Sequence, residues 1–201
     1  MSVRRDGQER RDALLDAALR CFSRSGVLGT GIEAIRKEAG ASPSSVYHQF
    51  SDVRALTLAL LVRTCERLFA AIAQGVAAED GAEALVRRLV GAHVDWVLGH
   101  PEEARFMYQA LALELSPEAA ATLQARKAEL LAPIIVRFVP YIEEGTLPAW
   151  PPLVFDVVLV GPAHEACRRW LAGAALDPAW MRAELPRLAW RAVAPERRRG
   201  R

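Results

Sequence analysis

The sequence has few of the features that mark membrane proteins or secreted disulfide scaffolds. Its 201 residues contain no apolar run as long as the roughly 18 residues that a membrane-spanning helix needs. The three cysteines, Cys21, Cys65 and Cys167, are widely spaced and include no Cys-x-x-Cys pair, which is typical of buried thiols in a reducing compartment. The charged start, MSVRRDGQERRD, lacks the apolar core of a signal peptide. We therefore expect a cytoplasmic protein.

Signatures of catalysis are also scarce. The four histidines form no His-x-x-x-His pair, and no Cys/His cluster has the spacing of metal ligands. The sequence contains neither a glycine-rich phosphate loop nor a nucleophile elbow. We therefore predict no enzyme activity, no metal and no cofactor, and we leave open an unknown small-molecule effector.

Positive charge is concentrated at the two ends of the chain. The net charge is only +2, so there is no basic field over the whole molecule. Four arginines lie within the first eleven residues, and the sequence ERRRGR forms a basic tail at residues 196–201. Such segments either contact phosphates or remain solvated.

The hydrophobic pattern predicts an all-α protein. Alternation with a period of two never persists, whereas apolar stripes with helical spacing recur along the chain. The first stripe predicts a helix over residues 8–25, which Gly26 should end. Further helices are predicted near 82–99, 102–114, 117–139, 153–172 and 178–193. Pro162 should kink the helix in which it lies.

Two short helical segments lie close together in GIEAIRKEAGASPSSVYHQF, residues 31–50. Thr30 and Glu33 match the T-x-x-E capping box at the start of one helix, and Gly40 is placed to end it. Ser42 is a good cap for the next helix, with proline in its first turn. Two short helices joined by a tight turn predict a helix-turn-helix motif.

Reading DNA explains why the second of these helices would be short and polar. Such a helix enters the major groove and presents side chains of modest length to the bases. The first helix would brace it through Ile32, Ile35 and Ala39, packed against Val46 and Phe50. The outer face would then carry Ser44, Ser45, Tyr47, His48 and Gln49. From the residues alone, a plain helical hairpin with a solvated polar face remains an alternative.

This run resembles the DNA-binding domain of TetR-type transcriptional repressors. The matching elements are GVLGT, IEAIRKEAGAS, SSVYHQF and a helix that opens DVRAL after the capping residue Asp52, so the resemblance covers residues 8 to about 60. It implies an all-α fold with an N-terminal three-helix, helix-turn-helix DNA-binding domain and a larger helical ligand-binding and dimerisation domain. The expected divisions are residues 1–52, including a basic N-terminal arm, then residues 53–195, and the basic tail at residues 196–201.

The resemblance also implies a function and its partners. A homodimer, formed through the helices near 153–172 and 178–193, would repress transcription on a palindromic operator in double-stranded DNA. A small hydrophobic or amphipathic effector would release it. The expected DNA contacts are Arg4, Arg5, Thr30, Lys37, Ser42, Ser44, Ser45, Tyr47, His48, Gln49 and Arg54. Candidates for the effector pocket are Phe69, His93, Trp96, Phe106, Tyr108, Phe138, Phe155 and His164. The alternative is a TetR-like protein–protein adaptor or ligand sensor without specific DNA binding.

The sequence departs from the family pattern at positions that matter for DNA. Arg36 stands where a small residue usually packs beneath the recognition helix, so its side chain should extend outward or the packing should differ. Val53 stands where the family commonly has a lysine that binds phosphate, so Arg54 would have to take over this role. The predicted recognition helix carries no arginine or lysine. Much of the affinity is therefore expected from phosphate contacts.

Overall fold

The computed structural model describes residues 2–78 and 81–195, with the backbone alone for residues 2–6. Those ranges contain helices and no strand, which confirms the all-α prediction. In chain order the helices are α1 (Ser2–Ser25), α2 (Ile32–Glu38), α3 (Pro43–Gln49), α4 (Val53–Ala77), α5 (Ala82–Gly99), α6 (Pro101–Leu111), α7 (Pro117–Ile135), α8 (Val139–Glu143), α9 (Pro152–Phe155), α10 (Gly161–Leu171) and α11 (Pro178–Val193). The predicted basic tail at residues 196–201 lies outside the described residues.

The observed helix bounds confirm the prediction for α5 and α11 and correct it elsewhere. α1 begins at Ser2 rather than near residue 8, so the backbone of the expected N-terminal arm continues the first helix. α6 ends at Leu111, three residues earlier than predicted. The segment predicted as 117–139 ends at Ile135, and a separate short helix begins at Val139. None of the described helices is long and apolar enough to cross a membrane.

The chain divides into two compact units. The first comprises residues 1–65 and 102–126, and the second comprises residues 66–101 and 127–201. The first boundary falls inside α4, so this helix contributes to both units. The division after residue 52 that the sequence suggested assigns α4 to the second domain alone, and it remains a prediction about domains.

The first unit is built around the apolar stripe of α1. Phe22 of α1 stacks on Phe106 of α6, with ring centroids 5.4 Å apart and planes 5° from parallel. The other buried positions come from α1, α2, α3, α4 and α6, among them Leu14, Leu15, Ala18, Ile35, Val46, Leu56, Leu60, Leu61 and Met107. Arg63 of α4 reaches Asp16 of α1 at 2.8 Å. Because the stripe of α1 is shared by all these helices, it fixes the positions of α2 and α3.

The second unit has α5 at its centre, packed against α11. Their buried side chains include Leu85, Val86, Val90, Val97, Met181, Leu185 and Ala189. Arg182 donates a hydrogen bond to Asp95 at 2.9 Å, which links the exposed edges of the two helices. The hydroxyl of Tyr141, on α8, accepts a hydrogen bond from the backbone N–H of Gly81 at 2.7 Å. A Cβ at Gly75 would lie 3.1 Å from the Cβ of Ala92, so α4 and α5 approach closely only because this residue is glycine.

A change of helical geometry immediately precedes Pro162, whereas the predicted kink itself remains a prediction. Residues Asp156–Val160 form a π-helical segment between α9 and α10. The N–H of Gly161 donates to the carbonyl of Asp156, five residues earlier, rather than four. Because proline has no N–H to donate and its ring crowds the preceding turn, the helix widens at this point instead of continuing as a regular α-helix.

Candidate nucleic-acid interface

α2 begins one residue later than the predicted capping box requires. Its N-cap is Gly31, with no side-chain hydrogen bond to the first turn. Thr30 is only 6% exposed, and its hydroxyl donates to the carbonyl of Gly26 at 2.8 Å. Glu33 pairs with Arg36 at 2.8 Å instead of returning to the helix start. The predicted capping box is therefore wrong, because the Thr30 hydroxyl closes the loop after α1. Little of Thr30 remains accessible to DNA.

The turn between α2 and α3 is held by hydrogen bonds at both ends. Gly40 has φ of +61°, a conformation that favours glycine, and its N–H donates to Lys37 O at 3.1 Å. The N–H of Ala41 donates to Arg36 O at 3.0 Å, while the Arg36 guanidinium donates to Ala41 O at 3.1 Å. Ser42 accepts from the N–H of Ser45 at 3.2 Å, as predicted for the cap of α3. Arg36, unusual in this position, thus stabilises the turn.

The inner face of α3 is anchored as the sequence predicted. Ile35 and Val46 are completely buried, and Phe50 is 4% exposed. The guanidinium of Arg11 lies 4.7 Å from the centre of the Phe50 ring, within cation–π range. α1 therefore covers the residue that ends α3, and the recognition helix is fixed from below and from its C-terminal end.

Glu38 joins α2 to α1 through two arginines. Arg20 donates to one carboxylate oxygen of Glu38 at 2.8 Å, and Arg24 donates to the other. The hydrogen bonds from Arg20 and Arg24 hold the pKa of Glu38 below its usual range. Two arginines of α1 are thereby committed to positioning α2.

We expect the Glu38 contacts to make the stability of the folded chain depend on pH in the acidic range. Because the pKa of Glu38 is lowered on folding, its contribution is fully present above the ordinary carboxyl range and is lost as the pH falls through the lowered value. Glu38→Gln should therefore melt below the wild-type protein at pH 7, and the difference in melting temperature should shrink below about pH 4. A difference that stays constant between these pH values would contradict the prediction.

The outer face of α3 presents polar groups to solvent. Ser44, Tyr47 and His48 are exposed, and Tyr47 retains 54% of its accessible surface. Ser45 is half-buried. Gln49, also half-buried, donates to the backbone carbonyl of Gly7 at 3.5 Å, which ties the end of α3 to α1. The structure therefore leaves Tyr47 and its neighbours open to a ligand and gives Gln49 an internal contact that the sequence did not indicate.

Three cations of the first unit are uncommitted. Arg10, Lys37 and Arg54 are exposed and form no ion pair within residues 2–78 and 81–195. Lys37 and Arg54 were predicted DNA contacts, and Arg10 was not. The backbone of Arg4 and Arg5, the other predicted contacts, belongs to α1, but their side chains lie outside the described residues. Within the described part of the first unit, these free cations therefore lie on α1, α2 and α4 rather than on α3.

The predicted pocket residues divide between the two units. Phe106 and Tyr108 belong to the first unit, where Phe106 is stacked on Phe22. The remaining candidates, Phe69, His93, Trp96, Phe138, Phe155 and His164, belong to the second unit. An aromatic cluster that the sequence did not indicate lies here as well: Trp150 and Phe138 both pack against Phe155, at centroid distances of 5.6 and 6.2 Å. Trp150 was missed because it lies in a loop without helical periodicity.

His93 and His164 meet inside the second unit. Their rings stack with centroids 6.0 Å apart, His93 on α5 and His164 on α10. His93 is 3% exposed, and burial together with the neighbouring His164 lowers its pKa to about 4. Burial also lowers the pKa of His164. Both imidazoles are therefore neutral at pH 7.

We expect the second unit to lose stability in mild acid because of His93. The unfolded chain binds a proton at His93 below about pH 6.5, whereas the folded chain resists it down to a pKa of about 4. Stability should therefore fall as the pH decreases through this interval, by up to about 3 kcal/mol. Urea unfolding at pH 7.5 and pH 4.5 measures the loss, and His93→Phe should reduce it. An equal loss in the variant would assign the acid sensitivity to other groups.

The last helices carry apolar side chains on two sides. Leu185, Ala189 and Val193 of α11 are buried in the second unit. Leu153 is 72% exposed and Val157 is 62% exposed, while Trp180 and Leu188 of α11 are each 44% exposed. The apolar stripes predicted for dimerisation thus divide between the core of the unit and the surface.

Comparison with known proteins places the first helices in a family. The model for "Bacterial regulatory proteins, tetR family" matches residues 14–60. The HTH-type transcriptional repressor Rv1474c of Mycobacterium tuberculosis is 30% identical over 125 residues, which are 61% of each chain. The HTH-type transcriptional repressor AcnR of Corynebacterium diphtheriae is 33% identical over 93 residues, 46% of this chain and 42% of that protein. The chain thus spans about half the length of the curated relatives it matches.

Solved structures extend the similarity in fold to nearly the whole chain. A TetR family transcription regulator from Marinobacter aquaeolei has a TM-score of 0.74 at 24% identity, covering 96% of this chain and 99% of that one. The regulator FadR from Bacillus subtilis, solved in complex with stearoyl-CoA, has a TM-score of 0.72 at 15% identity, covering 88% and 96% of the two chains. At these identities the likeness concerns the fold.

Proposed function

This chain belongs to the tetR family of bacterial regulatory proteins, and on that premise we propose that it is a transcriptional repressor that binds a palindromic DNA operator as a homodimer. One observation carries the proposal: α3 is pinned on its inner face, while Tyr47 and His48 on its outer face are exposed and have no hydrogen bond or ion pair with the described residues. A polar helix that protrudes from a rigid support is what reading the major groove requires.

The contacts divide by chemistry. Tyr47, His48 and Ser44 would face the major groove, because they are exposed on the outer face of α3. Ser45, which is half-buried beside α1, would contact the DNA backbone instead. Lys37 and Arg54 would bind backbone phosphates, as would Arg4 and Arg5. The side chains of Thr30 and Gln49 donate internal hydrogen bonds, so we assign these two residues to shaping the interface. Ser42 accepts a hydrogen bond as the cap of α3, and its exposed hydroxyl would also contact the DNA backbone. Since no arginine or lysine lies on α3, phosphate contacts would supply most of the affinity.

One helix-turn-helix unit covers half a palindrome, so the proposal needs a dimer. The exposed residues Leu153, Val157, Trp180 and Leu188 offer an apolar surface of the kind that is buried between subunits. We expect Val157→Arg to convert the dimer to monomers in analytical ultracentrifugation, because an unpaired charge in such an interface is costly. Val136→Arg, at another exposed valine of the second unit, serves as the control and should remain dimeric.

We further propose that the second unit binds a small amphipathic effector with an apolar chain. The structure of the FadR relative with stearoyl-CoA supports this chemistry. The aromatic side chains of the second unit and the neutral His93–His164 pair supply apolar walls with a few polar groups. α4 and α7 each contribute residues to both units, so both helices are covalent routes for coupling. To release DNA the effector must prefer the non-binding conformation, by about 1–3 kcal/mol.

Selection of binding sites from random duplexes tests the function. The purified chain should enrich a palindrome whose half-sites lie about one helical turn, or a multiple of it, apart. It should bind that sequence at least about 1,000-fold more tightly than random duplex at physiological salt. Failure to enrich any sequence would refute the repressor proposal and favour an adaptor or ligand sensor. Titrating acyl-CoA thioesters of increasing length into the complex then tests the effector, which should dissociate the protein from DNA.

A further inference from the structure

A cavity of about 360 Å³ lies between α1 and the turn of the helix-turn-helix motif. Its walls are mostly small: they include Ala13 on α1 and the turn residues Ala39, Gly40 and Ala41. Its polar side chains are those of Arg10, Ser42 and Ser45. Among the residues whose side chains the structure describes, no carboxylate lines it, so these residues contribute one guanidinium and two hydroxyl groups.

Arg10 differs from the other arginines near α2. Arg20 and Arg24 are bound to Glu38, Arg36 is bound to Glu33, and Arg11 lies over Phe50. Arg10 is exposed, and it has no ion pair or hydrogen bond with any residue in the described ranges. The cation at the rim of the cavity is therefore available to an anion from outside the chain.

We propose that this cavity receives one phosphate group of the DNA backbone, held by Arg10 and by the hydroxyls of Ser42 and Ser45. The inference rests on the proposed DNA binding and deepens it by adding Arg10. A guanidinium presents a planar fork of donors that matches phosphate oxygens, and hydroxyl groups complete their coordination. A volume of about 360 Å³ holds such a group together with several waters, each of which occupies roughly 30 Å³ in the liquid.

The position of the cavity supports a DNA phosphate over a free anion. Ser45, which lines one wall, is one residue from Ser44 and two residues from Tyr47 on the proposed reading face. A phosphate seated here would fix the register of α3 against the backbone without reading sequence. The small side chains of Ala13, Ala39 and Ala41 leave the space open, and a larger side chain at Ala13 would close it.

The test uses the full-length chain and the operator obtained by site selection. Arg10→Gln should weaken binding roughly tenfold at 0.1 M salt, equally for the operator and for random duplex. The plot of log binding constant against log salt concentration should also become less steep, by about 1 for each cavity that a phosphate occupies. Ala13→Leu keeps the charge unchanged but fills the cavity, so it should weaken binding by a similar factor. Arg105→Gln, which removes an exposed arginine of α6, is the charge-matched control and should change affinity less than about twofold.

Neutral methylphosphonates placed singly along the operator backbone locate the contact. In each half-site one position should weaken wild-type binding and have no further effect on Arg10→Gln. If Arg10→Gln or Ala13→Leu binds as the wild type does, the cavity proposal is overturned while the repressor proposal stands. If the wild type prefers no sequence, the repressor proposal itself fails. If inorganic phosphate shifts the amide resonances of Ala41 and Ser45 but no methylphosphonate position shows the coupling, the cavity binds a free anion instead, which also overturns the assignment to DNA.

Discussion

Replacing Tyr47 with alanine should weaken binding to the operator roughly 10- to 100-fold while leaving the melting temperature nearly unchanged. The loss corresponds to about 1.4–3 kcal/mol, the range of one good contact in the major groove. Tyr47 is 54% exposed and packs outside the core, so its removal costs the folded chain little. Fluorescence anisotropy with operator and random duplexes, together with thermal unfolding, measures both quantities.

The control for Tyr47 is Tyr47→Phe, which keeps the ring and removes the hydroxyl. If the hydroxyl donates to a phosphate or a base, the phenylalanine variant should lose part of the affinity, and if the ring alone makes the contact it should lose almost none. Either result retains Tyr47 at the interface. An alanine variant that binds the operator as tightly as the wild type would place DNA elsewhere on the molecule and refute the assignment of the reading face.

Phe50→Ala should destabilise the first unit by about 3–5 kcal/mol, the usual cost of removing a buried aromatic ring. Phe50 is 4% exposed, caps the end of α3 and supports the guanidinium of Arg11. Its removal should therefore leave a cavity beneath α3 and free the end of the recognition helix. We expect a lower urea midpoint and loss of operator binding at temperatures where the wild type still binds.

Phe50→Leu separates volume from the stacking contact. Leucine fills most of the space, so stability should fall by less than about 1.5 kcal/mol, and the remaining loss reports the smaller volume and the missing contact with Arg11. A second comparison, Arg11→Met, removes the charge over an intact ring. Should Phe50→Ala unfold at the same urea concentration as the wild type, α3 would not depend on this anchor and the account of its support would be wrong.

The helix-turn-helix motif was predictable because its signals are local. Ser42 caps α3, Asp52 accepts from the N–H of Ala55 at 2.8 Å, and Gly26 and Gly40 have φ of +72° and +61° after the helices they end. Each of these effects acts between residues within one turn of each other, so the sequence alone contains both partners. The buried anchors Val46 and Phe50 followed from helical spacing for the same reason.

The wrong predictions concern residues whose side chains have more than one possible hydrogen-bond or ion-pair partner. Thr30 and Glu33 match a capping box, yet the hydroxyl of Thr30 closes the preceding loop and Glu33 pairs with Arg36. Gln49 seemed free for DNA by its place on the helix, but it reaches the backbone of Gly7, which is 42 positions away in sequence. Nothing in the local pattern distinguishes these outcomes, because competing partners differ only in their distance after the helices have packed.

By itself, the sequence determined that this protein is helical, where several of its helices begin or end, and which short helix carries a polar outer face. These follow from backbone geometry, capping and periodicity over a few residues. Only the tertiary structure decided which charges remain available. Glu38 binds two arginines of α1 and Phe50 lies beneath a third, while Arg10 has no partner among the described residues and lies beside a cavity. Which of several arginines pairs with a given carboxylate or ring depends on distances across the fold. Those distances are set only once α1, α2 and α3 are packed together.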